Sequence, residues 1–545
     1  MKNGFRQSMS WVHTWAGLVV GWILFFVFLT GTLGYFDTEI DRWMKPELPQ
    51  DTATMAQSLA AGEARLQQKA QGAERWFISP PTNRDNPNLR IFWQMPGKDG
   101  ERGVSGNELL NSTTGEALAG RATGGGQTLY RMHYALHYLP SGVAYWIVGI
   151  CSMFMLLAII TGVVIHKKIF KDFFTFRPQK GQRSWLDMHN LLSVSALPFH
   201  LMITYSGLIF FAFTYMPLIV AGSYGTGADA EEKFFNDIFD ESDKMERANS
   251  PANLASLSAM VAIAESRWGA NQVRYLDVAN PGDANARVSI GRQLDSPLRA
   301  SPELIFDGVT GELLNDKAAA TSAPRTVRDT FLGLHEGLFA DTGLRWLYFL
   351  SGLLGTAMIA TGMILWTVKR RPAQLKQAKG PDFGHRLVES LNLGTIVGLP
   401  IAIAAYFWAN RLLSVEFAAR GDWEVHTMFL VWLAALIYPL TRKIMQGWVD
   451  LLWVAATAYG LLPVINALTT DRHLANSLAQ GDWLFASVDL TFFVTGMLFA
   501  LAAIKLQQRL QHAPQTSRAA KGSKKANANN PTNPPEISLQ APEVN

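Results

Sequence analysis

The sequence has almost no cysteine and few charges. The single cysteine, Cys151, cannot form a disulfide within the chain, and no C-x-x-C-H motif is present for covalent attachment of haem. There is also no P-loop and no G-x-G-x-x-G fingerprint at a strand–helix junction, so the chain is not expected to bind a nucleotide itself. Only 17% of the residues are charged, yet the mean hydropathy is a modest +0.08, because strongly apolar segments are averaged with polar ones.

Long apolar runs alternate with two polar stretches of about a hundred residues each. About 20 apolar residues in a helix cross a hydrocarbon layer of roughly 30 Å. Eight runs meet or approach that length: 11–36, 141–165, 187–220, 343–368, 390–410, 424–441, 448–468 and 484–506. The first run is too long for a secretory signal and is followed by no small-x-small cleavage site, so we expect an uncleaved helix. The pattern predicts a mainly α membrane protein with about eight transmembrane helices.

Basic residues set the expected topology. They collect after the second, fourth, sixth and eighth runs, and Lys and Arg favour the cytoplasmic side. We therefore expect a multi-pass protein of the bacterial inner membrane with both termini cytoplasmic and the polar stretches periplasmic. The basic residues act as topology signals near membrane lipid, and no nucleic-acid partner is expected. The tail from about residue 513 is rich in Ala, Asn, Pro and Lys, which is typical of disorder.

Residues 1–370 contain an internal duplication. A hydroxyl–glycine pair begins 17 residues after His13, as Thr30-Gly31, and 17 residues after His189, as Ser206-Gly207. A tryptophan precedes the glycine of Thr161-Gly162, and equally that of Thr361-Gly362, by 16 residues. Each polar stretch has a helical pattern, strand-like segments and a closing Thr-Gly-Glu turn, at 114–116 and 310–312. The first 370 residues thus form two copies of a helix–α+β–helix unit, followed by four appended helices.

These patterns divide the chain as follows: TM1 (1–36), periplasmic domain 1 (37–132), TM2 (133–166), a cytoplasmic loop (167–186), TM3 (187–220), periplasmic domain 2 (221–334), TM4 (335–368), a second cytoplasmic loop (369–389), the appended unit TM5–TM8 (390–506) and the tail (507–545). The unit, with Thr-Gly-Glu closing the α+β domain and His-x-x-Leu opening the next helix, resembles the PepSY-associated transmembrane family. The resemblance implies that both periplasmic domains are PepSY-like. Some members of that family are iron-regulated proteins described as di-haem reductases of ferric siderophores.

The duplication places histidines in equivalent pairs. His13 and His189 lie at the cytoplasmic ends of their helices, and His133 and His335 lie at the periplasmic ends of theirs. Ionisable groups at such depths are costly and tend to be functional, and imidazole is a common axial ligand of haem iron. We expect each pair to hold one haem b, giving two haems. His137 competes with His133, but His-x-x-Leu matches the motif at His335 only for His133.

Other polar residues in the spans are weaker candidates. Arg131 and Arg345 are placed to neutralise haem propionates on the periplasmic side. His200 lies about 16 Å along its helix and could be a ligand, a proton-relay group or a packed polar residue. His385 and His166 fall in basic loops, where contact with solvent or lipid headgroups is expected. The Thr-Gly and Ser-Gly pairs are interpreted as packing devices.

Three functions remain in view. The first is an oxidoreductase that moves electrons from the cytoplasmic pair to the periplasmic pair and on to an acceptor, for which the resemblance suggests a ferric siderophore. Its donor would be a membrane quinol or a cytosolic flavoprotein, since the chain has no nucleotide fingerprint. The second is a membrane-anchored PepSY module that binds or regulates a partner without redox activity. The third is a siderophore or metal transporter, although the appended helices contain few charges besides Asp489.

Overall fold

The computed structural model describes residues 4–49, 51, 53–82, 84, 86–97, 103–166, 168–215, 217–227, 229–230, 232–234, 245–317, 323–378 and 380–512. The predicted disorder of the tail from about residue 513 concerns residues outside this set. The first copy has helices α1 (Phe5–Gly34), α2 (Asp37–Met44), α3 (Met55–Lys69), α4 (Gly125–Ala135) and α5 (Ser141–Ile165), followed by α6 (Ile169–Phe173). The second copy has α7 (Gln182–Ser195), α8 (Leu197–Phe210), α9 (Ala212–Tyr215), α10 (Pro217–Tyr224), α11 (Leu257–Trp268), α12 (Ala323–Glu336) and α13 (Thr342–Gln374).

The appended unit contains α14 (Phe383–Ile396), α15 (Gly398–Leu412), α16 (Arg420–Ile437), a 3₁₀ turn (Tyr438–Thr441), α17 (Ile444–Gly460), α18 (Leu462–Thr469), α19 (Leu474–Gln480) and α20 (Trp483–Gln511). Within the described residues, seven helical segments are long and apolar enough to cross a membrane. An eighth span results if α7 and α8, which meet at a bend of 68°, are counted as one. These spans confirm the predicted fold class, a mainly helical membrane protein.

The bend between α7 and α8 has a local cause in the sequence. Pro198 is the second residue of α8, and a proline lacks the backbone N–H that would continue the hydrogen bonding of α7. Ala196 between the two helices has φ of −121° and ψ of 26°, outside the helical region. The corresponding part of the first copy is the unbroken helix α1, so the two copies differ here in shape.

The strands of both copies form one antiparallel sheet. Its strands are β1 (Arg75–Ser79), β2 (Leu89–Gln94), β3 (Ser105–Leu110), β4 (Val273–Ala279), β5 (Arg287–Arg292), β6 (Glu303–Asp307) and β7 (Leu313–Lys317), in the order β3-β2-β1-β4-β5-β6-β7. The copies meet where β1 pairs with β4, with Ile78 opposite Leu276. The sequence predicted both α+β segments but not this junction.

One hydrophobic core spans the junction. Leu59 and Leu66 of α3 and Met260 of α11 pack in the same buried cluster as Ile78 and Leu276. Successive side chains of a strand point to opposite faces, so α3 and α11 cover one face of the sheet. We call the ends of the spans that lead into the sheet the sheet side, and the other ends the far side.

The appended unit packs against the first copy. Trp43 of α2 is completely buried, with its ring 5.7 Å from Phe407 of α15 and 5.2 Å from Phe492 of α20. These aromatic residues belong to the largest buried cluster, which also contains Leu24 and Phe25 of α1. The last four predicted spans therefore pack against the first copy on its sheet side, and α14 also packs against α13 of the second copy.

Candidate functional site

The structure brings the four predicted histidines together in two pairs. His13 of α1 faces His189 of α7 on the far side, with 6.3 Å between ring centroids. His133 of α4 faces His335 of α12 on the sheet side, with 6.0 Å between ring centroids. Each pair takes one residue from each copy, so both pairs lie at the interface between the copies.

The far-side rings are held by the same kind of contact. The Nδ1 atom of His13 lies 2.9 Å from the carbonyl oxygen of Ala158 and 3.2 Å from the Thr161 hydroxyl. The Nδ1 atom of His189 lies 3.0 Å from the Met358 carbonyl oxygen and 3.3 Å from the Thr361 hydroxyl. A carbonyl oxygen can only accept, so Nδ1 carries the hydrogen in both rings. Their Nε2 atoms are therefore left with a lone pair that can bind a metal.

The sheet-side rings are oriented similarly. His133 donates from Nδ1 to the Val27 carbonyl oxygen at 2.7 Å. The Nδ1 atom of His335 lies 3.0 Å from the Ser206 hydroxyl. That hydroxyl donates its only hydrogen to the Met202 carbonyl oxygen at 2.6 Å, so it accepts from His335. All four rings therefore have the tautomer that metal-binding histidines use when a second residue orients them.

Each ring also lies against a glycine on a neighbouring helix of its own copy. A Cβ atom at Gly162 would be 3.3 Å from His13 Cε1, and one at Gly362 would be 3.2 Å from His189 Cε1. At Gly207 it would be 3.0 Å from His335 Cε1, and at Gly31 it would overlap the His133 ring. The glycines of the hydroxyl–glycine pairs, which were interpreted as packing devices, thus make room for the four histidine rings. We call these four contact positions the glycine seats. Their repetition at the same spacing was the signal for this role.

The geometry of the pairs suits a metal bound between two imidazoles. A metal–nitrogen bond is about 2 Å and a ring centroid lies roughly 1 Å beyond the nitrogen, so two axial rings would be about 6 Å apart. Each pair supplies two donors, and in the described part of the chain no group of three or more His, Cys, Asp or Glu could hold a metal ion. A haem, whose porphyrin provides four further ligands, would fit this donor set.

His137 and the two arginines lie elsewhere. The ring of His137 is 4.5 Å from that of Tyr138 and 5.9 Å from that of Phe429, so the structure brings His133 to His335 instead. Arg131 is exposed. Arg345 donates to the Ala340 carbonyl oxygen at 2.8 Å and is 3.6 Å from Glu39, so it already has partners. A role of these arginines toward propionates stays a prediction.

Two further histidines are buried. His200 of α8 is completely buried, and neither ring nitrogen makes a hydrogen bond of normal geometry. It follows His189 of the far-side pair and precedes, in the same helix α8, Ser206, which contacts His335 of the sheet-side pair. His385 was expected in a solvated loop, but it lies in α14, is 3% exposed and stacks on Trp366. That expectation was wrong, because the helix begins at Phe383 and turns His385 toward α13.

The duplicated spans, the shared sheet and the histidine pairs define a multi-pass membrane protein built from a repeated unit. The chain belongs to the family of the PepSY-associated TM region, whose model matches residues 10–369. It is also similar to an uncharacterized protein of Pseudomonas aeruginosa, with 25% identity over 395 residues that cover 69% of this chain and 91% of that protein. The family match contains both copies and all four paired histidines and ends before the appended unit.

Proposed function

We propose that the chain is a haem-containing oxidoreductase of the bacterial inner membrane that carries electrons across the bilayer to a periplasmic acceptor. The observation that carries this proposal is the pair of equivalent histidine contacts, 6.3 and 6.0 Å between centroids, one near each end of the spans. A duplication would repeat a histidine that only stabilises the fold, but such a histidine would not need a histidine of the other copy facing it. Four of them at duplicated positions, all with Nε2 unoccupied by the orienting contact, favour a shared ligand.

His13 and His189 would hold one haem b, and His133 and His335 the other. When bound, haem would supply a one-electron iron couple, and the two histidines of each pair would hold it without providing a site for oxygen or substrate. The carbonyl oxygens of Ala158, Met358 and Val27 accept from the Nδ1 atoms of the facing histidines and so orient their rings. The same contacts would increase the basicity of Nε2, the nitrogen that would bind the iron. This arrangement is suited to electron transfer without bond formation at the metal.

The acceptor would dock at the periplasmic sheet. The face opposite α3 and α11 carries Phe77 and Tyr275, whose rings stack at 5.1 Å across the junction of the copies. Phe92 lies directly opposite Phe77 on β2, and the Arg75 guanidinium lies 5.8 Å from the Phe77 ring. The Arg75 guanidinium is paired with Asp277 and the Tyr275 hydroxyl donates to Glu303, so the charges on this face are balanced. Its aromatic rings are suited to an acceptor with flat groups, such as a ferric siderophore. One-electron reduction weakens the hold of hard oxygen donors on iron and would release it.

The test is a count of haem in the full chain purified in mild detergent, by reduced-minus-oxidised spectra and pyridine haemochromogen. Two b-type haems per chain are expected, with bands insensitive to carbon monoxide. His13→Ala or His189→Ala should remove one haem, and His133→Ala or His335→Ala the other. His137→Ala and His473→Ala, at histidines outside the two pairs, serve as controls that should keep both haems.

A colourless protein, even after expression with a haem precursor, would overturn the proposal and leave a binding or regulatory module as the better account. The acceptor is tested separately with the reduced, haem-loaded protein. A ferric siderophore should reoxidise the haem bands, and Phe77→Ala should slow that reaction. If haem is present but the chelate leaves the bands reduced, the assignment of the acceptor is wrong and the electron-transfer function remains.

A further inference from the structure

A groove lies between the start of α5 and helix α16, on the sheet side. It encloses about 490 Å³, and its walls include Tyr138, Trp423, His426, Phe429 and Leu433. Tyr138 is 57% exposed and Leu433 is 53% exposed, although α16 is one of the membrane spans. Exposed apolar residues on a span face lipid, so the groove opens sideways to the hydrocarbon layer.

One polar pair stands in this apolar groove. The Tyr138 hydroxyl lies 2.5 Å from Nδ1 of His426, and the two rings stack at 5.8 Å. If Tyr138 donates, its oxygen remains an acceptor and Nε2–H of His426 remains a donor. A few convergent polar groups in an otherwise apolar pocket are typical of a small-molecule site. An acyl chain of a phospholipid would make no use of them.

The groove is adjacent to the sheet-side histidine pair. Phe429, in its wall, is 5.9 Å from the His137 ring and 6.4 Å from the Phe26 ring of α1. The residue after Phe26 is Val27, whose carbonyl oxygen accepts the hydrogen bond of His133. Phe26 and the adjacent residue Val27 therefore connect the wall of the groove to the ring of a paired histidine.

We propose that this groove binds the ring of a lipid-soluble quinol, with its head at Tyr138 and His426 and its apolar tail along Leu433. The inference rests on the proposed function and names the chemical class of an electron donor. Oxidation of the quinol to quinone would release two electrons, and each would reduce one ferric acceptor by way of the redox centre proposed at His133 and His335. It also releases two protons, which pass to the sheet side through His426. A donor bound here would deliver electrons directly to the sheet-side pair, in addition to those that reach it from the far-side pair of His13 and His189.

Binding is measured on the full chain in detergent with a short-chain photoreactive quinone, both with haem and without it. Labelling is expected in the segment 419–441. Tyr138→Phe keeps the ring but removes the hydroxyl that holds His426 in the tautomer with Nε2–H, the donor to a quinone carbonyl, and should weaken quinone binding by about tenfold. Tyr205→Phe, at an exposed tyrosine of α8 in the other copy, is the matched control and should leave binding unchanged.

A second pair of variants keeps the test independent of hydrogen bonding. Leu433→Trp fills the groove and should abolish labelling, whereas Leu498→Trp, at an exposed leucine of α20, should not. The proposal would be overturned if Tyr138→Phe and Leu433→Trp left labelling unchanged, or if phospholipid prevented labelling. Either result would make the groove an acyl-chain site. Because binding is also read in haem-free protein, its loss is distinguishable from failure of the haem proposal.

Discussion

The two copies carry the same histidine geometry on differently shaped helices. The first copy uses the continuous 30-residue helix α1, whereas the second uses α7 and α8 with a bend of 68°. The histidine on each still meets the helix that ends its own copy through a carbonyl, a threonine hydroxyl and a glycine. The comparison shows that these local seats position the rings, and that the straightness of the helix does not.

The copies differ more in what covers them. On the sheet side the appended unit lies on the first copy, where Trp43 donates to Asp489 at 2.9 Å and Asn466 donates to the same carboxylate at 2.9 Å. Arg420 and Glu424, both completely buried, form an ion pair at 2.5 Å. The second copy has a more exposed pair on its sheet side, Arg299 with Glu336 at 2.8 Å. The completely buried ion pair therefore occurs where the appended helices pack on the first copy, and the more exposed pair occurs where they are absent.

The largest effect is expected at this cover. Glu424→Ala leaves Arg420 buried without its carboxylate, which typically costs about 3–5 kcal/mol. Glu336→Ala in the second copy breaks a pair whose arginine is 46% exposed and should cost less than about 1 kcal/mol. Thermal unfolding of both variants in the same detergent measures the difference. Equal losses would show that the cover does not distinguish the copies.

The junction of the sheet comes next, because it joins the copies to each other. Ile78→Ala and Leu276→Ala each remove a completely buried side chain and should each cost about 2–5 kcal/mol. The two residues are cross-strand partners, so the double variant should lose less than the sum of the single losses. Additive losses in denaturant unfolding would mean that the halves of the sheet are energetically independent.

The sequence was sufficient to predict the repeat but not the contact between its copies. Hydrophobic length gave the spans, and equal spacing gave His13, His189, His133 and His335. The β1–β4 junction depends on two strand edges that are about 200 residues apart, and no local pattern marks such a pairing. His385 was misjudged because its neighbours are basic, whereas its burial depends on Trp366 of another helix.

The glycine seats should show a smaller, graded effect. Gly31→Ala overlaps the His133 ring and should cost about 1–3 kcal/mol, with loss or spectral change of the haem proposed on the sheet side. Gly162→Ala meets His13 Cε1 only at 3.3 Å, so the haem proposed on the far side should change less. Haem content and low-spin spectra of both variants report the order. A larger effect at Gly162 would contradict the geometry of the seats.

The smallest difference lies in the turns that close the two α+β segments. Asp307 accepts from the backbone N–H groups of Val309 and Thr310 at 2.9 and 3.0 Å, and Asn111 accepts equally from those of Thr113 and Thr114 at 2.9 and 3.1 Å. The Thr310 N–H, together with the Val309 N–H and the charge of Arg287, holds the pKa of Asp307 below its usual value. Asn111 does not titrate, so this contact is sensitive to acid in the second turn and not in the first.

A carboxyl whose pKa is lower in the folded state stabilises the fold above its unfolded pKa of about 3.9, and this contribution is lost as the pH falls toward the folded pKa. Asp307→Asn should therefore make the acid limb of the stability profile shallower, by less than about 1 kcal/mol because the pair with Arg287 is partly exposed. Asn111→Asp is the reciprocal variant and should make that limb steeper. Unfolding measured by tryptophan fluorescence across the acid range decides the point, since unchanged profiles in both variants would mean that these turns open before the sheet unfolds.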